Sequence, residues 1–146
     1  MKIRSSFVTN SSSSSFIVIN ASEGYDELIT DDLYRIGDDG TTEFSWEPAY
    51  HRDIHSRINF AYLQADSVKN QEWLRMIEEV IKGNSNVTIV EYGITTEYDT
   101  DDKEHGYIDH QSNAEEGENT EMFQSIQSLK DFIFGKSSFI RTDNDN

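Results

Sequence analysis

Four histidines are the side chains of this sequence best suited to acid–base or metal chemistry. Imidazole titrates near neutral pH and can ligate a metal through either ring nitrogen. His51 and His55 stand four apart, a spacing that places two side chains on one helical face and suits a pair of metal ligands. Arg52 occupies the position where a zincin motif requires its glutamate, and a cation there disfavours a second one. His105, Asp109 and His110 form the other group. Asp109 and His110 are neighbours in a predicted strand and so point to opposite sides; His110 would have to meet His105, His51 or His55 through the fold. The competing expectation is a hydrogen-bonded turn in which Asp109, Gln111 and Ser112 bond the local backbone. His51, His55, His105, Asp109 and His110 are thus the candidate ligands of a divalent metal. No other cofactor has a motif here.

The remaining chemistry is excluded more firmly. With no cysteine there is no disulfide, thiolate catalysis or cysteine-bound zinc. The eight glycines make neither a Walker nor a dinucleotide motif, and no serine sits in a Gly-x-Ser-x-Gly context. The run from Asp99 resembles a calcium loop in composition only. Glu104 stands where an EF-hand needs its glycine, and His110 where it needs its last glutamate. Binding is therefore favoured over catalysis.

Charge is the strongest signal. The 146 residues carry 28 acidic and 12 basic side chains, for a formal net charge of −16. That charge opposes autonomous binding to nucleic acid, whose phosphates it would repel. More than half of it lies in residues 97–121, where ten carboxylates (Glu97, Asp99, Asp101, Asp102, Glu104, Asp109, Glu115, Glu116, Glu118, Glu121) face one lysine, Lys103. Such a patch would match a basic groove on a partner protein, as a nucleic acid does, and would speed the encounter. Tyr98 and Tyr107 would supply anchoring area. The plainer expectation is a solvated acidic loop that confers solubility.

These side chains need elements to hold them. Ile54, Ile58, Tyr62 and Ala65 recur at helical spacing, and a second helix is predicted from about Asn70, with Trp73, Leu74, Ile77, Val80 and Ile81 on one face and Gly83 as its left-handed stop. A third is marked by Met122, Ile126, Leu129 and Ile133, flanked by Phe123 and Phe134, with Asn119 or Thr120 as its cap and Gly135 as its end. Residues 21–36 predict a short helix or two turns. Strands are expected at 16–19, 41–46, 87–92 with an extension through 94–98, 106–110 and 138–140. The first residues would pair with 16–19 as a hairpin, with Ser11–Ser15 as a long flexible turn. Residues 141–146 read as a polar tail. The order predicts one α+β domain over 1–146, three helices packed on a mostly antiparallel sheet. No apolar run approaches the roughly 20 residues that span a bilayer, and no export signal is recognisable, so a cytoplasmic location is expected.

The opening Met1-Lys2-Ile3-Arg4-Ser5-Ser6-Phe7-Val8-Thr9-Asn10, followed by Ser11–Ser15 and Phe16, resembles a leader on uncharacterised proteins of bacteria and their phages. The segments 106–112, 129–134 and 140–146 are also similar to that group. Ser6 stands where that leader has glycine. The resemblance implies a phage-type protein and transfers no catalytic residue. Three functional expectations follow. The first is an acidic protein that binds a host or phage macromolecule with a basic surface, as a nucleic-acid mimic. The second is a metal-binding protein or metal-dependent enzyme using the histidines. The third is a minor virion component with the leader as a docking or processing element.

Overall fold

In a computed structural model of the chain, residues 2–3, 12–45, 47–98 and 100–145 are described. The elements run β1 (Lys2–Ile3), β2 (Ser12–Ile19), β3 (Asp31–Ile36), β4 (Glu43–Phe44), β5 (Ala49–His51), α1 (Ile54–Ser67), α2 (Gln71–Gly83), β6 (Asn86–Tyr92), β7 (Ile94–Thr95), β8 (Glu104–His105), β9 (Tyr107–Ile108), α3 (Ile126–Phe134) and β10 (Phe139–Asp145). Two short 3₁₀ turns, Ala114–Glu116 and Glu121–Gln124, precede α3. The α+β class and its three helices are as the sequence predicts. The largest sheet is antiparallel, in the order β1-β2-β10-β5. Three further pairs, β3 with β6, β4 with β9 and β7 with β8, are parallel. No helix among the described residues is long and apolar enough to cross a membrane.

Helix α1 is the axis of the molecule. Asp53 caps it, accepting from the Ser56 amide at 3.0 Å and the Ser56 hydroxyl at 2.8 Å. Every residue from Ser56 to Asp66 is buried. The amphipathic stripe predicted from Ile54, Ile58, Tyr62 and Ala65 is therefore only part of a helix enclosed on all sides, with Phe60 set edge-on to Phe44 at 5.0 Å. Helix α2 keeps a wet face, where Glu72 pairs with Arg75, and buries Met76, Ile77, Val80 and Ile81 against the same core. Helix α3 buries Leu129, Phe132, Ile133 and Phe134, while Ile126 stays exposed.

Several expectations are corrected. Ser12–Ser15 form no turn: they are the first half of β2, aligned with Thr142–Asp145 of β10, while Ser11 lies outside the described residues. Serine has little intrinsic preference for a strand, and here cross-strand pairing overrides that weakness. The same ladder turns the predicted tail into sheet as far as Asp145. The predicted pairing of the first residues with 16–19 does form, Lys2 opposite Ile19 and Ile3 opposite Val18. Residues 31–36 are strand rather than helix; Tyr34 and Ile36 point inward at a period of two, while Leu33 faces out. Gly83 is the last residue of α2 rather than its left-handed stop, and Asn84 follows as the cap. The cap of α3 is Ser125, which accepts from the Ser128 amide at 3.0 Å; Asn119 and Thr120 lie upstream, before the second 3₁₀ turn. The strand predicted over 41–46 is two residues, Glu43–Phe44, and Trp46 lies outside the described residues.

Candidate binding face

The acidic segment is hung on α1 by side chains that point away from the helix. Asp66 accepts from the Thr96 amide at 2.8 Å, the Thr96 hydroxyl at 2.8 Å and the Thr95 hydroxyl at 3.1 Å. Burial alone would raise the Asp66 carboxyl, but these donors and nearby Lys69 outweigh it and hold it below the ordinary aspartate value. Gln64 uses both ends of its amide: Nε2 donates to the Ser112 carbonyl at 3.1 Å, and Oε1 accepts from the Ala114 amide at 2.7 Å. Asn59 Nδ2 donates to the carbonyls of Asp39 and Thr41, fixing the stretch that leads to β4. Strand β9 then rests on β4, with the Tyr107 amide donating to the Thr42 carbonyl at 2.9 Å. Gly106 lets this stretch lie directly on the helix, because a Cβ there would come within 2.7 Å of Leu63.

A second set of bonds ties the segment to the serine strand. The Ser112 hydroxyl accepts from the Ser15 amide at 2.6 Å, and Asn119 Nδ2 donates to the Ser15 carbonyl at 2.9 Å. These side chains occupy the edge of β2 that β10 does not use. A strand edge with unpaired amides and carbonyls needs such a cover. Asn113 caps the following 3₁₀ turn by accepting from the Glu115 amide at 3.0 Å.

On this frame Glu97, Asp101, Asp102, Glu104, Glu115 and Glu116 are exposed. Glu118 is half-buried, Asp109 is buried, and Asp99 lies outside the described residues. Lys69 meets Glu97 at 2.7 Å, and Arg35 Nη2 donates to the Asp102 carbonyl at 2.9 Å. Tyr98 stacks on His105 with ring centroids 4.1 Å apart, and His105 in turn lies 6.4 Å from Tyr107. Burial, together with Asp109 and Tyr98, raises the Tyr107 phenol above its ordinary value.

The structure does not bring the five candidate metal ligands together. His51 ends β5, outside α1, so the helical spacing to His55 is never realised. Both of its nitrogens are engaged. Thr142 Oγ1 donates its one proton to the Glu47 carbonyl at 2.6 Å, so His51 Nε2–H must be the donor across the 3.4 Å contact with Thr142. Nδ1 is left to accept from Thr41 Oγ1 at 3.3 Å. Burial pushes this imidazole below its ordinary value, with Asp53 opposing. His55 sits against Tyr34, its Nδ1 2.9 Å from the phenol oxygen. Asp109 Oδ1 accepts from the Gln111 amide and the Ser112 hydroxyl, as in the local turn the sequence offers as the alternative. His105 and His110 do line one cleft. Among the described residues no group of three His, Asp or Glu side chains is placed to hold a metal ion.

The residues that build the face, Gln64, Asp66, Ser112 and Asn119, escape a sequence reading that looks for ligands. Only Asp66 offers a signal: aspartate is a weak helix former, whereas glutamine is a good one and gives none. In comparisons with known proteins, no family model, no curated protein and no solved structure matches the chain.

Proposed function

We propose that the chain acts by binding a basic surface of another protein through the acidic face of residues 97–118, in the manner of a nucleic-acid mimic. One observation carries this reading. The acidic stretch is bonded at Thr95, Thr96, Ser112 and Ala114 to buried side chains of α1, so its carboxylates have a frame. A mimic needs its charges held in place, because matching a groove with a mobile loop would lose binding energy to ordering. On the resemblance of its leader, the partner would be a host or phage protein.

The reading is tested by comparing the wild-type chain with a charge-reversed variant carrying Glu104→Lys, Glu115→Lys and Glu116→Lys. Each is used as bait in nuclease-treated host lysate, and the retained DNA-binding proteins are identified and then rebound as pure proteins. Retention by the wild type at low salt, release at high salt and absence from the variant are expected. Screening tightens from about 10 Å at 0.1 M salt to about 3 Å at 1 M. Equal retention by both chains, or retention indifferent to salt, would overturn the proposal.

A further inference from the structure

We infer that the cleft walled by Tyr98, His105 and Tyr107 and flanked by Glu115 receives a single arginine side chain of the basic partner; this specification rests on the acidic-face reading above. The cleft holds about 220 Å³. Small-molecule sites run roughly 300–1,000 Å³, so this one suits a single side chain better than a free metabolite. Its wall is a ladder of near-parallel rings, 17° between Tyr98 and His105 and 29° between His105 and Tyr107. Tyr98 is 72% exposed although it stacks on His105, so ring area remains for a further planar group. A guanidinium is planar and stacks on such a surface, whereas an ammonium is a compact, strongly hydrated charge that gains less from it.

Charge selects the same occupant. Glu115 is the carboxylate that lines the cleft, which the exposed His110 also lines, while Glu97 beside Tyr98 in the chain is paired with Lys69. An anionic group would meet this field unfavourably. Asn113, Ser67 and Thr96 line the same space. Glu115 offers the two-oxygen acceptor that a guanidinium fork fits. Arginine and tyrosine also recur as anchors of protein interfaces.

The test titrates the full chain at low salt with fluorescently labelled hexa-arginine and hexalysine peptides. Hexa-arginine is expected to bind about fivefold more tightly than hexalysine, the scale of one cation–π contact. Tyr98→Ala should bring hexa-arginine down to the hexalysine level, while Tyr98→Phe, which keeps the ring, should preserve the preference. Glu115→Gln should weaken hexa-arginine more than hexalysine. The exposure of Tyr98 leaves the fold of these variants intact, which circular dichroism checks. Equal binding of both peptides, unmoved by Tyr98→Ala, would overturn the arginine cleft and leave the acidic face standing. Failure of the wild type to bind either peptide would overturn both.

Discussion

The serine strand and the acidic face lie against each other at Ser15, yet they are held by different means. The β2–β10 ladder is continuous from Phe139 opposite Val18 to Asp145 opposite Ser12, and its inner half is apolar, with Ile17 and Ile140 in the core. The acidic face has strand pairs only two residues long, which reach the core through Ile94 and Ile108. Between those points it is tied by single polar side chains, Gln64 and Asp66 from the helix and Asn119 and Ser112 from the segment itself. A hydrophobic ladder loses stability in proportion to area, whereas a frame of buried hydrogen bonds loses a whole anchor when one side chain goes. The two regions should therefore part company under mutation.

The largest effect is expected where both regions share a support. Phe60 is fully buried between Phe44 and Phe132, so Phe60→Ala should cost about 3–5 kcal/mol in urea unfolding and loosen ladder and face together. Asp66→Ala should separate them. It leaves the Thr95 hydroxyl and the Thr96 amide and hydroxyl without their acceptor, at a cost of about 1–3 kcal/mol. Hydrogen exchange should then quicken at residues 95–97 while the β2–β10 amides keep their protection. Asp53→Ala removes the cap at the opposite end of α1, for about 1 kcal/mol of thermal stability, and should leave peptide binding by the acidic face unchanged.

The smallest effect is a pH dependence on the ladder side. His51 has a folded pKa below its ordinary value, so the unfolded chain binds the proton more readily. The stability this neutral histidine contributes is complete above about pH 6.5 and declines as pH falls below that value. Unfolding free energies measured from pH 8 to pH 5 should show that decline, and His51→Gln should flatten part of it. A decline unchanged in the variant would place the titrating groups elsewhere.

What was legible in the sequence follows the same division. Helices α2 and α3 were readable because each shows water one polar face, so the 3.6-residue period survives in the pattern. Strand β6 was readable from its β-branched run. The recurrence of Ile54, Ile58 and Tyr62 predicts an amphipathic α1; that Arg57, Asn59 and Gln64 are equally buried depends on what surrounds the helix. Arg57, for example, is fully enclosed and answered by Asp26 at 2.5 Å and by the Gly135 carbonyl, a residue far along the chain. The serine strand was illegible for the converse reason. Its order comes from partners in β10 and from Ser112 and Asn119, none of which its own composition announces. The acidic cluster was plain as composition. Its frame was not, since that rests on contacts such as Ser15 with Ser112 that no local pattern encodes.

The pairing of β2 with β10 also sets an order of events. The Asn20 amide donates to the Ser138 hydroxyl across 118 positions of sequence, and the ladder beyond it joins residues still further apart. Contacts of such long range are slow to form, because the chain entropy of closing the loop is lost before the contacts reward it. During synthesis β2 emerges early and β10 late, so the strand must wait with its β10 edge open. An unpaired apolar strand in that position invites association with other chains. The residues at 12–15 are all serine, so that half of the waiting strand adds no apolar side chain to the exposed surface.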